Sequence, residues 1–445
     1  MSDLAHRFTP SLAHRFWRGL PSTWRRRALA AATAGLAPRP DRLPPAGDHG
    51  IVLGGEFSRP SGLGEGARVM ARAARSLGLP VWRLDVPPPI ERADTIASPA
   101  ALPPAGAPLI LHVNAPYMPL ALMRLPHGLM RGRRIVGYWS WELPEVPAEW
   151  RVGPRFVHEI WAPSRFTAAA LEPLLPGRVR VVPPALAAVG LEPAHLGRAA
   201  FGLPEQAIVV LLSFNMASSF ERKNPLAAIA AFRAAFGDRP DRVLVVKVIH
   251  ADHAPEDFAR LRAAAQGPNI RIETRVMSDP ERHALTAASD IVLSLHRSEG
   301  LGLVPAEAMM LGRAVVATGW SGNMDYMDRD TAALVRYRLV PARDRRQVYQ
   351  DAPWAEPDIG DAVVHLRMLA DNTAARLAMG RRAQASVRLH FGTEKLQSAL
   401  RGLGLALPRH CAGTLGRPCA GQPWQQDTAW HPDTAWPDTP AIAAE

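Results

Sequence analysis

From Gly50 onward, short continuous apolar runs alternate with stretches whose apolar residues recur every three to four positions. The runs Ile51–Leu53, Val81–Val86, Leu109–Val113, Ile135–Tyr138, Val157–Trp161 and Val179–Val182 read as buried strands. A second series follows at Ile208–Phe214, Val243–Ile249, Ile270–Val276, Ile291–Leu295, Val315–Thr318 and Ala333–Val335. Helical spacing covers Leu63–Leu79, Asn224–Phe236, Asp279–Ala288 and Pro305–Leu311, and a last helical stretch runs from Asp358 to Leu405. Strands that are apolar on both faces and alternate with helices predict parallel sheets covered on both sides. Two such series predict an α/β protein of two doubly wound domains, 49–190 and 191–405.

The ends of the chain lack this pattern. Residues 1–48 form a basic, proline-rich extension with Leu-Ala-His-Arg-Phe at 4–8 and again at 12–16. Arg25-Arg26-Arg27 then precedes the small-residue run Ala28–Ala37. Three readings stay open for it. One is a flexible tail, expected because the apolar run is short and alanine-rich. Another is an arm on an anionic membrane, with Phe8, Phe16, Trp17 and Trp24 on its apolar side, and the last is an export signal. Residues 406–445 lose periodicity, with Asp-Thr-Ala-Trp at 427–430 and 433–436 among prolines and glutamines, so a disordered tail is expected.

Composition bounds the class. The 445 residues exceed one ordinary core, and 47% hydrophobic with 21% charged residues is a globular balance. No run of 18 apolar residues occurs, which speaks against a transmembrane helix. The two cysteines, Cys411 and Cys419, both lie in the late polar segment, so no disulfide framework spans the domains. The formal net charge is +11, but it comes almost wholly from arginine: the only lysines are Lys223, Lys247 and Lys395. No basic run is interleaved with aromatics and no zinc or RNP pattern occurs, so nucleic acid is not expected as a partner. Anionic ligands or a membrane surface suit the charge better.

Three loops carry candidate chemistry. Gly54–Gly66 follows a strand and opens a helix, where backbone N–H groups can meet an anion; its spacing is not G-x-G-x-x-G, and a turn that needs glycine explains it equally well. Arg222-Lys223-Asn224-Pro225 places two cations at a predicted helix start, against the helix dipole unless an anion binds; a solvated pair is the alternative. The loop from Leu295 to Met309 is the most informative. A strand ends near His296, glycines turn the chain, and Pro305 opens a helix with Glu307 in its first turn. Its N-terminus can receive phosphate oxygens, while Glu299 and Glu307 can accept from sugar hydroxyls or serve as an exposed turn acid and a helix-end charge.

Glu299 and Glu307, with Gly300-Leu301-Gly302-Leu303 between them, resemble the E-x7-E element of the GT4-type retaining glycosyltransferases of glycosyltransferase group 1, which have the GT-B fold. Residues 312–323 are similar to that family's following strand and turn. Arg222–Pro225, Trp139–Glu142 and Glu159–Ser164 also resemble runs of its bacterial members. The resemblance spans about 50–400. It implies two Rossmann-like domains facing across a cleft, with a C-terminal helix returning to the first domain.

It further implies a nucleotide-diphospho-sugar donor, UDP- or GDP-linked, and a glycan or lipid-linked acceptor in bacterial surface polysaccharide synthesis. By the same resemblance, Lys223 and Arg222 neutralise the donor diphosphate, Glu299 holds the donor sugar and Glu307 the nucleotide ribose. Backbone N–H groups at Gly300, Leu301, Gly302 and Leu303 meet the phosphates. Gly62 and Gly64 line the first domain's side of the cleft, and His112 contacts the sugar; a strand-end histidine with a satisfied hydrogen bond is its alternative.

Relatives often carry an arginine six residues before the lysine, where this chain has Ala217. The resemblance implies charge stabilisation by Lys223, Arg222 and the helix dipole, so neither a metal nor any other cofactor is expected. Since the donor is cytoplasmic, a cytoplasmic protein, peripheral on the inner membrane face, is expected. Two rivals remain: a GT-B sugar-phosphate synthase with a soluble phosphorylated product, and a catalytically silent GT-B scaffold.

Overall fold

The computed structural model describes residues 22–43, 46–59, 61–86, 103–349 and 351–407. The repeats at 4–8 and 12–16 and everything read into 406–445 beyond Leu407, the two cysteines included, lie outside them.

The first apolar series forms a six-stranded sheet of β1 (Ile51–Gly55), β2 (Val81–Asp85), β3 (Leu109–Leu111), β4 (Ile135–Tyr138), β5 (Glu159–Ala162) and β6 (Val179–Val181). Its order is β2-β1-β3-β4-β5-β6 and every pairing is parallel. The second forms another parallel six-stranded sheet from β7 (Ile208–Asn215), β8 (Arg242–Ile249), β9 (Ile270–Glu273), β10 (Ile291–Ser294), β11 (Ala314–Thr318) and β12 (Ala333–Val335), in the order β12-β11-β10-β7-β8-β9. The central strands are buried on both faces, which explains their unbroken apolar runs.

Each order reverses direction at one place, between β1 and β3 in the first sheet and between β7 and β10 in the second. Ligands of open α/β sheets bind beyond the carboxyl ends of the strands at such switch points. The loops after these four strands therefore matter most.

Several boundaries differ from the sequence reading. β9 stops at Glu273 rather than Val276, because the Glu273 carboxylate accepts the Arg275 backbone N–H at 2.8 Å and turns the chain. The stretch 358–405 is three helices, Ile359–Asp371, Thr373–His390 and Glu394–Gly402. The first break comes at Asn372, whose side chain accepts from Ala375 N at 2.9 Å and starts the next helix. The last helix returns to the first domain as expected, packing Leu396, Ala399, Leu400 and Leu403 against Ile51, Leu53 and Met70.

Two features were not foreseen. Ser22–Leu36 is a helix packed against the first domain, with Ala30, Thr33 and Ala37 buried, so this part of the 1–48 extension is not a flexible tail. Residues 30, 33 and 37 recur at helical spacing, and their small side chains permit close approach. The second feature is an antiparallel hairpin of β13 (Tyr337–Pro341) and β14 (Pro353–Pro357), set between β12 and the helix at Ile359. From it Ala342, Tyr349 and Trp354 join the core of the first domain beside Trp139, Trp141 and Trp150. The hairpin thus straps the second domain to the first.

Candidate active site

Beyond β7 the chain enters a four-residue helix, Phe220–Lys223, capped at its start by Ser219 and closed by Asn224 at φ 51°. Arg222 and Lys223 therefore end this short helix and directly precede Asn224, the N-cap of the next helix, at the start predicted. Pro225 then opens the next helix, Pro225–Phe236. Asn224 Nδ2 donates to Leu295 O at 3.0 Å, joining this loop to the one that follows β10.

The two cations go different ways. The Arg222 side chain is 4% exposed and that of Lys223 22%. Arg222 Nε donates to Tyr349 Oη at 2.9 Å, one terminal nitrogen to Ser298 O at 2.7 Å, and the other to Ser218 Oγ at 2.9 Å. It also lies 3.1 Å from Glu299 Oε2 and 3.5 Å from Glu142 Oε1 of the first domain. Burial opposes its charge, but Tyr349, Glu142 and Glu299 outweigh burial, so Arg222 stays charged. All of its capacity is committed within the protein. Lys223 Nζ donates to Glu299 Oε1 at 2.5 Å and remains the more accessible cation.

Glu299 is at the centre. Burial raises its pKa, yet Lys223, Arg222 and His296 together hold the carboxyl at about 2. Its backbone N–H donates to Ser321 Oγ at 2.9 Å and its carbonyl accepts from Gly322 N at 2.9 Å, which fixes the loop from behind. His296 lies beneath, between Ser294 Oγ at 2.9 Å and Asn323 Oδ1 at 3.0 Å, and burial lowers its pKa. The first domain grips the next residue: Ser164 Oγ donates to Gly300 O at 2.5 Å.

After Gly300 and Leu301, Gly302 adopts φ 85°, a conformation suited to glycine, and launches the helix Leu303–Met310. That helix begins two residues earlier than predicted. Pro305 still fits, since a helix's first turn has N–H groups without intrahelical acceptors. The N–H groups of Gly300, Leu301 and Gly302 have no backbone acceptor among the described residues. Glu307 is buried and ion-paired with Arg282, with His283 Nε2 at 3.9 Å. Burial raises its pKa, but Arg282 and His283 bring it below the ordinary value.

On the first domain, His112 follows β3 at the switch point and is 1% exposed. Its ring stacks on Tyr138 at 4.2 Å, and neither ring nitrogen has a partner among the described residues. Burial lowers its pKa to about 3, so the ring is neutral near pH 7. The satisfied strand-end histidine is not what the structure shows. The glycine loop divides: Gly62 is exposed in open space, whereas a Cβ on Gly64, in the first turn of the helix Gly62–Ser76, would overlap Glu56 O, so Gly64 permits a close backbone approach. The turn is closed by Ser61 Oγ, which accepts from Gly64 N at 3.0 Å.

Among the described residues one group could hold a metal ion: His250, Asp252 and His253, after β8, have ligand atoms within 4.8 Å of one another. Burial, His253 and Arg59 of the glycine loop lower the pKa of His250, against the opposing effect of Asp252. Sequence reading also missed Tyr349, Ser298, Ser321 and Asn323 as site-shaping residues. Ser298, Ser321 and Asn323 lie inside the runs 295–309 and 312–323, but nothing marks Tyr349, which reaches Arg222 from 127 residues away.

Two doubly wound parallel sheets, one in each domain, are the architecture of the GT-B class. Residues 209–352 match the family described as Glycosyl transferases group 1. No curated protein matches the chain. Among solved structures it is similar to sucrose-phosphate synthase from Thermosynechococcus elongatus, at 16% identity and TM-score 0.58, over 80% of this chain and 98% of that one. Anabaena HepE in complex with UDP and glucose is 14% identical at TM-score 0.55, over 80% and 99%. A point mutant of S. aureus TarM, in complex with Fondaparinux, alpha-GlcNAc-glycerol and UDP, is 11% identical at TM-score 0.50; the match covers 67% of this chain and 55% of TarM's length. The chain has the GT-B fold, and residues 209–352, most of its second domain, are similar to glycosyl transferases group 1.

Proposed function

We propose that the protein transfers a hexose, with retention, from a UDP- or GDP-linked sugar to a glycan or lipid-linked acceptor in bacterial surface polysaccharide synthesis. The observation that carries this is the Lys223–Glu299 pair at 2.5 Å, set beside the N-terminus of Leu303–Met310 at the β7/β10 switch point. Lys223 and the helix N-terminus stabilise the charge that develops on the leaving diphosphate. Glu299, held ionised, accepts from hydroxyls of the donor sugar, and Glu307 from the ribose once that diol meets its paired carboxylate. His112, neutral and unpartnered on the facing domain, offers hydrogen bonds to the transferred sugar. Arg222 holds Glu299 in place. The C1–phosphate bond breaks and the C1–acceptor bond forms on the same face, the acceptor's proton passing to the departing phosphate oxygen.

A thermal-shift panel of UDP-, GDP-, ADP- and TDP-sugars on wild type and Glu307→Ala tests the reading. A ligand at 100 times its Kd adds roughly 2.7 kcal/mol. Stabilisation by one donor, weakened in Glu307→Ala and kept in EDTA, is the expected result. Silence across the panel would favour the scaffold reading. Stabilisation abolished by EDTA would turn attention to His250, Asp252 and His253.

A membrane-bound acceptor is supported by the N-terminal segment, where Trp24, Leu36 and Leu43 are exposed beside Arg27, Arg39 and Arg42. No helix among the described residues is long and apolar enough to cross a membrane. The expected outcome is co-sedimentation with vesicles containing anionic lipid, reduced by Trp24→Ala. Equal recovery with neutral vesicles would remove the electrostatic part of this argument.

A further inference from the structure

The donor site as described is short of cations. A nucleoside diphosphate brings at least two negative charges, yet Arg222 is buried and committed to Tyr349, Ser298, Ser218, Glu299 and Glu142. Lys223 is shared with Glu299. Residues 216–221, Met-Ala-Ser-Ser-Phe-Glu, contribute no positive charge to the loop ahead of them.

We propose that Arg346, on the turn of the hairpin, supplies the second cation for the donor diphosphate. This rests on the donor-site reading above. Arg346 donates to Ala217 O at 3.0 Å, in the loop between β7 and Lys223. It is exposed, and among the described residues it has no carboxylate partner. Its neighbour Arg345 differs, lying 3.2 Å from Glu256 and 3.7 Å from Asp257. Two adjacent arginines are thus treated differently: one is neutralised by carboxylates, and the other rests on a carbonyl of the phosphate loop with donors to spare. A guanidinium presents paired N–H groups that match phosphate oxygens.

The turn that carries Arg346 is held in place. The Asp344 carboxylate accepts from Val348 N at 3.0 Å and Tyr349 N at 3.2 Å, and Gln347 adopts φ 50°. Three residues beyond Arg346, Tyr349 is buried, hydrogen-bonded to Arg222 and packed on Trp141 with ring centroids 5.5 Å apart. The hairpin therefore brings a cation to the mouth of the loop at little further ordering cost.

The test is a titration of UDP and GDP, with uridine and guanosine as the matching nucleosides, against wild type, Arg346→Ala, Arg346→Lys, Arg343→Ala and Lys223→Ala. Arg346→Ala is expected to weaken the bound diphosphate about 10-fold and leave the nucleoside unchanged. Arg346→Lys recovers part of the loss. Arg343→Ala, which removes an exposed arginine from the same turn, stays within about 2-fold of wild type. Diphosphate affinity unchanged in Arg346→Ala, or an equal loss in Arg343→Ala, overturns the proposal. If Lys223→Ala weakens binding and Arg346→Ala does not, this inference alone fails. If Lys223→Ala also binds as wild type, or wild type binds neither diphosphate, the donor-site reading fails with it.

Discussion

Lys223→Ala is expected to lower turnover by about 10²–10³-fold, the usual cost of removing one preorganised donor to a developing negative charge. The effect falls on chemistry and not on folding. Without the lysine, Glu299 keeps Arg222 at 3.1 Å, so no buried carboxylate is left uncompensated. The Lys223 side chain is also the more exposed of the two cations, and its removal opens no sealed cavity. The check is the rate of nucleoside-diphosphate release from whichever donor stabilises the wild type, alongside the thermal midpoint. A midpoint near wild type with release slowed at least 100-fold fits. Release slowed less than about 3-fold contradicts a charge-stabilising role.

Arg222→Ala should behave in the opposite way, losing stability first. Deleting it removes five partners and leaves Glu299 with Lys223 alone, in a site where each unpaired polar group carries its full desolvation cost. Breaking a buried ion pair from one side costs about 3–5 kcal/mol. Arg222→Lys should recover little, because an ammonium cannot span Tyr349, Ser298 and Ser218 from one planar group. Tyr349→Phe removes one of those partners and leaves the ring against Trp141. Its loss should be smaller, and less than additive with Arg222→Ala. Denaturant midpoints for the two single variants and the double variant settle this. An Arg222→Ala protein as stable as wild type would show that the network is not a structural support.

These two neighbours show how far the sequence could be read. Arg222 and Lys223 are adjacent in a run that resembles family members, and sequence alone gave both the same role. On a helix, successive side chains diverge by about 100°, so one turned into the protein and the other towards the loop. Which one did so depends on Glu142, Ser298 and Tyr349, none of them local. Glu299 and Glu307 were legible because strand, glycine turn and helix start are all encoded within a dozen residues. Most strands were legible too, since a strand buried on both faces is an unbroken apolar run. The hairpin was not: four of the five positions in β13 are exposed and prolines end both strands, so it carries no apolar run and its contacts lie in the other domain. Ser22–Leu36 was misread because alanines bury little surface, and their packing value shows only against a partner helix.

The sheet order ties these readings together. His112 and the glycine loop flank the β1/β3 switch point, and Lys223 and Glu299 flank the β7/β10 switch point. The hairpin and the Ser164–Gly300 hydrogen bond link the two domains close to these residues. On the proposed function, a donor bound at the second pair would be presented to the first.

The most direct measurement is the crystal structure of the protein with the nucleoside diphosphate that stabilises it. The account predicts phosphate density at Lys223 and the backbone N–H groups of 300–303, with the ribose at Glu307. Diphosphate density on the first domain, or at His250, Asp252 and His253 with Lys223 still closed on Glu299, would contradict it.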